Sequence, residues 1–229
     1  MKTEITKREK TMNSKRHTWK VQFGIFAFLL FFSSPDVLAQ AAEWKTETAN
    51  DGKVIVKSFV TTRTDENGEE RQLIEYIATT TDSGGIEKYI SLLKDVPRHS
   101  EFLNETETRI VRANSDDEWV LYYYTDVTWP FSDTDIVSVM KYSEDIPQKT
   151  ATFVVTAAPS MFEKKEGVKR YNYYNMMYTF RDLGDGNVEL TISAKCSPID
   201  PVPAWMIKAA FPGVVNDIFQ KMIKLTKNG

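Results

Sequence analysis

The sequence predicts an α+β domain in which a curved antiparallel sheet closes over one long C-terminal helix. Three observations lead there. Eight stretches alternate apolar and polar residues at the two-residue period of a strand. Several of the links between them are short and turn-like, which implies antiparallel neighbours. The chain then ends on one long stretch of helical period, and an apolar sheet face and an apolar helix stripe must bury each other.

Trp44 opens the domain, and Val54–Val60 reads as its first strand. Asn67-Gly68 is a hairpin signal, since both residues tolerate positive φ, and it leads into a strand at about Gln72–Thr80. Asp82-Ser83 is placed to cap a helix whose Ile86, Ile90 and Leu93 share one face, and Val96-Pro97 ends it. Alternating runs follow at Glu105–Arg112, Glu118–Asp126, Asp133–Tyr142, Thr150–Ala157 and Lys169–Arg181. Their turns are read at Asn114–Asp117, Ser143–Gln148 and Gly184-Asp185-Gly186-Asn187. The last strand is the clearest: Val188, Leu190, Ile192, Ala194 and Cys196 share one face, while Glu189, Thr191, Ser193 and Lys195 share the other. Pro201-Val202-Pro203 then introduces an amphipathic helix to about Lys227, with Ile207, Phe211, Val214, Val215, Ile218 and Met222 on its apolar side. Within it, Phe211-Pro212-Gly213 predicts a bend or break, because proline has no N–H for the helix ladder; it reads as a static kink or, alternatively, as a hinge for the first part of the helix around Trp205 and Met206.

The N-terminus follows export grammar. Seven basic residues between Lys2 and Lys20 precede an uncharged apolar run, Val21–Phe32, too short to span a bilayer, and Val37-Leu38-Ala39 suits a signal peptidase. Cleavage after Ala39 is expected, dividing the chain into a signal peptide, 1–39, and one domain, 40–229. An uncleaved anchor is the alternative, with Pro35 and Asp36 against it. The mature part keeps 22 basic and 29 acidic residues, a net charge of −7. An acidic body without a basic block argues against a nucleic-acid partner. Cys196 is the only cysteine in the sequence, so no internal disulfide can form and packing must supply stability. The expected location is the periplasm.

Several segments together resemble the steroidogenic-acute-regulatory-related lipid-transfer (START) family. Trp44 with Asp51-Gly52 and Val54 resembles the family's opening, and Leu92-Leu93-Lys94-Asp95 with Phe102 its second-helix region. Trp129-Pro130-Phe131-Ser132-Asp133-Thr134-Asp135 is similar to its Trp-Pro-x-Ser-x-Arg-Asp signature, and Ile199–Trp205 resembles the approach to its last helix. Thr134 stands where that family usually has Arg, which puts any ion pair made by that Arg in doubt. The resemblance implies a helix-grip fold with an internal hydrophobic tunnel between sheet and last helix, closed by the loop Val127–Ser132.

On that implication the expected cavity residues are Phe102, Tyr122, Tyr124, Trp129, Phe131, Met140, Phe153, Met176, Tyr178, Met206, Ile207 and Phe211. Aromatic bodies with polar tips suit hydrocarbon with one polar end, and methionine adapts to ligand shape. From pattern alone the same side chains fill a solid core equally well. Tyrosine hydroxyls, Asn172, Asn175, Arg170 and Arg181 are candidate partners for a ligand head. The expected partner is a lipid or other hydrophobic small molecule, with transient membrane contact, and the protein is read as a monomeric carrier or sensor without cofactor, metal or catalytic residues. The main alternative is a helix-grip enzyme, cyclase-like or hydrolase-like, acting in the same cavity, and a third reading is a partner-binding protein whose aromatics only fill a solid core. The residues offer it little: His99 reads as an exposed loop residue, and Asp133 and Asp135, two apart on a strand, would share a side as solvated or backbone-bonded carboxylates.

Overall fold

The computed structural model describes residues 44–65, 67–128, 132–199 and 204–228, without the side chains of residues 204, 206–208 and 228. The expected signal segment 1–39, Trp129-Pro130-Phe131 and Pro201-Val202-Pro203 lie outside the described residues. The strands are β1 (Lys45–Ala49), β2 (Val54–Thr64), β3 (Glu70–Asp82), β4 (Glu107–Ser115), β5 (Glu118–Thr125), β6 (Thr134–Asp145), β7 (Thr150–Ala157), β8 (Lys169–Arg170), β9 (Tyr174–Gly184) and β10 (Asn187–Cys196). The helices are α1 (Ile86–Lys94), followed by a 3-10 turn at Val96–Glu101, and α2 (Ala204–Asn228). They form the α+β architecture read from the sequence: one large curved sheet in the order β1-β2-β3-β10-β9-β7-β6-β5-β4, with a long C-terminal helix. Every pairing along that order is antiparallel.

Four details differ from the sequence reading. An edge strand, β1, precedes Val54 and turns back through Asn50, Asp51 and Gly52, all at positive φ, where Asn, Asp and Gly are the residues that fit. The run Lys169–Arg181 is two strands, because β8 lies parallel to the start of β6 while β9 pairs with β7 and β10. Asp82 does not cap α1, whose cap position is Gly85 at φ 75°; its carboxylate instead accepts from the Tyr89 hydroxyl at 2.8 Å and pairs with Lys227 at 3.1 Å. Pro212 sits inside an uninterrupted α2, so no helix break occurs there.

Register places the core. Directly opposed residues of an antiparallel sheet share a face, so the pairings generate rows of side chains that run across the strands. One inner row is Val54, Thr80, Leu190, Phe180 and Ala151; the next is Val56, Ala78, Ile192, Tyr178 and Phe153; the third is Ser58, Tyr76, Ala194, Met176, Val155 and Met140; the fourth is Val60, Ile74, Cys196 and Tyr174. Phe211, Val215, Ile218, Phe219 and Met222 of α2 and Tyr89, Leu92 and Leu93 of α1 join the same apolar cluster. At 20–33 cal/mol per Å², each fully buried large apolar side chain contributes about 2 kcal/mol.

Candidate functional site

The inner wall changes character along its length. Beside α1 it is closed: Leu190, Phe153, Phe219 and Met222 have no exposure and Phe180 has 1%. At the other end several positions of the wall are looser. Tyr76 retains 6% exposure and Met176 and Ala194 retain 8% each, while Val60, Tyr174 and Cys196 are only half-buried. This is the end from which the 126–133 loop leaves β5 for β6, and the end that the first half of α2 covers, with the Phe211 ring edge-on to Tyr76 at 4.8 Å.

Polar groups collect at the loosening end. Tyr123, Tyr174, Tyr178 and the half-buried Glu105 lie close enough for the Glu105 charge to act on all three phenols, and burial raises each phenol's pKa. Burial also pushes the Glu105 carboxyl above its ordinary value, partly offset by the hydrogen bond its Oε2 accepts from Thr125 Oγ1. The Tyr174 hydroxyl donates to Met176 Sδ at 3.3 Å. The Cys196 thiol is pushed up to about 11 by burial, so it stays protonated and unreactive at neutral pH.

Six of the expected cavity residues, Phe102, Met140, Phe153, Met176, Tyr178 and Phe211, are in the inner apolar cluster. Tyr122 and Tyr124 are not. They belong with Val120, Val137 and Phe162 to a smaller cluster on the opposite face of the sheet, and the inward tyrosine of β5 is Tyr123. The sequence hid this because β5 is apolar on both faces: the segment around Phe162 covers its outer side, so Trp119–Thr125 shows no alternation. Trp129 and Phe131, and the side chains of Met206 and Ile207, lie outside the described residues.

His99 is buried rather than an exposed loop residue, at 1% exposure. Its Nε2–H donates to the Leu93 carbonyl at 2.9 Å, so Nδ1 is the acceptor of the hydrogen bond that the Tyr123 hydroxyl donates at 2.9 Å. Burial holds its pKa down to about 4. The imidazole therefore acts as a neutral bracket between α1, the 3-10 turn and β5.

Asp133 and Asp135 are structural. Asp133 accepts the Tyr124 hydroxyl at 2.5 Å and the Val127 N–H at 3.0 Å, which together hold its carboxyl below the ordinary range and fix one end of the 126–133 loop. Asp135 forms a two-pronged pair with Arg170: Nε to Oδ1 at 2.9 Å and Nη2 to Oδ2 at 2.7 Å. Arg170 spends its other donors on the carbonyls of Pro159, Phe162 and Glu163. Arg170 from β8 therefore supplies the cation that Thr134 does not, and it pins the 159–163 segment over the outer face of β6. As head-group partners, Arg170 and Arg181 are both committed, Arg181 to Glu189 at 2.8 Å. Asn175 points outward beside Met177 and Val154, and Asn172 lines an outer cleft with Arg63 and Tyr173. Glu105 and Tyr123 were missed: a lone glutamate at a strand start carries no signal that it faces inward. Among the described residues, no three His, Cys, Asp or Glu side chains group closely enough to hold a metal ion.

No protein-family profile and no curated protein matches the sequence. Solved structures do match the fold. A STAR-related lipid transfer protein fragment from Xanthomonas axonopodis superposes with a TM-score of 0.65 at 17% identity, covering 80% of this chain and 98% of that one. The human StAR-related lipid transfer protein 5 gives 0.65 at 16% identity, covering 82% and 88%, and human STARD10 gives 0.64 at 14%, covering 80% and 72%. The class defined is thus an open antiparallel sheet gripping a C-terminal helix. More particularly, the chain has the START fold that its Trp-Pro motif and flanking segments resemble.

Proposed function

We propose that the protein binds a lipid or similar hydrophobic small molecule between the inner wall of the sheet and the first half of α2, as its carrier or sensor. The observation that carries this reading is the looser packing at one end of the inner wall. A solid core is close-packed from end to end, whereas here Tyr76, Met176 and Ala194 keep 6–8% exposure and Val60, Tyr174 and Cys196 are only half-buried at one end, where large apolar side chains mix with tyrosine hydroxyls. The named lipid transfer proteins share the fold, which supports the same reading. Removing about 15 methylenes from water releases about 12 kcal/mol. A bilayer offers nearly the same gain, so selectivity has to come from the cavity's shape and its few polar groups, and transfer rate from opening of the 126–133 loop and the start of α2. Trp205, on the first turn of α2 and 70% exposed, is suited to touch a membrane interface during transfer. The N-terminal grammar supports cleavage after Ala39 and delivery to the periplasm.

The non-catalytic reading is supported by how the acid–base candidates are engaged, since His99, Asp133 and Asp135 each serve a structural hydrogen-bond set. The test combines native mass spectrometry of the purified protein with transfer of a fluorescent phospholipid between vesicles. A retained apolar molecule and accelerated transfer are expected. An empty protein that moves no lipid would end the reading, and chemical conversion of the retained molecule would turn it toward the enzyme alternative.

A further inference from the structure

The outer face of the sheet carries a polar cleft of about 380 Å³ at the end where β2 passes into β3 and β10 runs out. Arg63, Asn67 and Arg71 of the β2–β3 hairpin, Asn172 and Tyr173 before β9, and Ser197 after β10 line it. Arg63 and Arg71 are cross-strand partners, and like charges directly opposite each other destabilise a sheet. Only one of the two is compensated. Arg71 donates from Nε to Asp65 Oδ2 at 3.1 Å and also pairs with Glu69, whereas Arg63 makes no ion pair among the described residues. Arg63 is nevertheless held in place: its Nε donates to Ser197 Oγ at 2.8 Å, and its guanidinium lies over the Tyr173 ring, 4.3 Å from the centroid. We propose that this cleft binds a phosphomonoester group, with Arg63 as its anchor and Asn67 and Asn172 as flanking donors. The site is separate from the inner wall and does not depend on what that wall holds.

A guanidinium stacked on a ring and fixed at Nε has given up its freedom before a ligand arrives, and its two terminal nitrogens remain for the two-pronged bond that an oxyanion accepts. The surrounding charges agree. Three cations line the cleft, Arg63, Arg71 and Arg170; Asp65 answers Arg71 and Asp135 answers Arg170, so one positive charge is left over. Asp65 is turned toward its own hairpin: Oδ1 accepts from the Asn67 and Glu69 N–H groups, and Oδ2 is taken by Arg71. Glu69 reaches Arg71 from the solvent side, at 61% exposure, and Lys195, beside Tyr173, is neutralised by Glu75 at 2.7 Å. An arginine acting only as a strut would gain most from a carboxylate, yet on a body with an excess of acids none among the described residues is placed against Arg63. Donors reaching in from separate segments suit a tetrahedral group with three free oxygens better than a planar carboxylate with two. The volume leaves room for an organic body on the ester oxygen.

The test titrates glycerol 3-phosphate into the full chain in about 150 mM salt, where weak surface attraction is screened, and follows it by phosphorus NMR and by the thermal midpoint. Saturable binding is expected, with a dissociation constant of about 1 mM or below, and propionate is expected not to saturate over the same range. Arg63→Gln should abolish binding. Arg63→Lys keeps the charge but loses the fork and the Ser197 bond, and should weaken it at least about fivefold. Asn172→Asp, at an exposed position, sets a carboxylate on the cleft wall; it should weaken binding at least about tenfold, and it decides the matter should the Arg63 variants fail to fold. Arg112→Gln, at a β4 arginine bonded to Asn114 and likewise without an ion pair among the described residues, should leave binding unchanged. Phosphatidylcholine vesicles with and without phosphatidic acid identify the source of the group. Sedimentation with vesicles that needs both phosphatidic acid and Arg63 assigns a membrane-borne phosphate, and binding of the soluble ester without it assigns a free one. Propionate binding as tightly as the ester overturns the proposal, as does an equal loss in Arg112→Gln or binding indifferent to Arg63 and Asn172. Absence of both ester binding and Arg63-dependent sedimentation overturns it too, while leaving the lipid reading of the inner wall untouched.

Discussion

Replacing Arg170 by alanine is expected to unfold the protein more readily than any surface substitution, and the expected size follows from its surroundings. The side chains of Arg170 and Asp135 are 5% and 1% exposed. Two charge-assisted bonds join them, and three more tie the guanidinium to the carbonyls of Pro159, Phe162 and Glu163. Alanine leaves the Asp135 carboxylate buried without its cation, a change that costs about 3–5 kcal/mol. Lysine keeps the charge but offers three donors from one atom, cannot span the carboxylate and the three carbonyls together, and is expected to lose about 2 kcal/mol. Guanidinium unfolding measures both through the midpoint at constant slope. The double substitution Asp135→Ala/Arg170→Ala should cost clearly less than the sum of the singles, because it removes both charges at once. Since the pair lies on the outer face of β6, lipid binding per folded molecule should be unchanged. A loss below 1 kcal/mol for Arg170→Ala, the value of an exposed pair, or strict additivity in the double, would refute this account, and normal folding with lost binding in Asp135→Asn would return a functional role to the carboxylate.

Other outcomes can be checked in parallel. Folded His99 holds its proton less tightly than the unfolded chain, about 4 against 6.5, so the unfolded state binds more protons between those values. Its contribution is therefore complete above pH 6.5 and lost as pH falls toward 4, by about 3 kcal/mol in all; an imidazole titrating near 6.5 in the folded protein by NMR would contradict its burial. Gly213 is helical and a β-carbon there would meet nothing within 4 Å, so Gly213→Ala should stabilise by about 0.4–1 kcal/mol through the unfolded chain. If the Pro212-Gly213 step also serves as a hinge, the same variant should slow vesicle transfer while leaving lipid affinity intact, and equal transfer rates would remove the hinge. Trp205→Ala should leave the unfolding midpoint within about 0.5 kcal/mol of wild type and reduce transfer from vesicles several-fold; unchanged transfer would separate Trp205 from membrane contact.

The sequence alone determined the elements whose patterns are written in neighbouring residues. Val188–Cys196 alternates because one face is buried, Asn67-Gly68 turns because both residues accept positive φ, and the apolar stripe of α2 repeats at helical period. From these the antiparallel sheet and its C-terminal helix could be read, and most of the inner wall with them. Tertiary structure decided what depends on partners distant in the chain. Which β5 tyrosine faces inward depends on the 158–168 segment that covers the other side, so Tyr123 could not be told from Tyr122 and Tyr124. Asp135 finds its cation 35 residues away on β8, Asp82 bonds Tyr89 and Lys227 in place of a helix end, and His99 is buried because Leu93 and Tyr123 close around it. Local period reports which faces need covering; which side chain does the covering is set by strand register, and Glu105 meets its three tyrosines only once β5 and β9 have found their places.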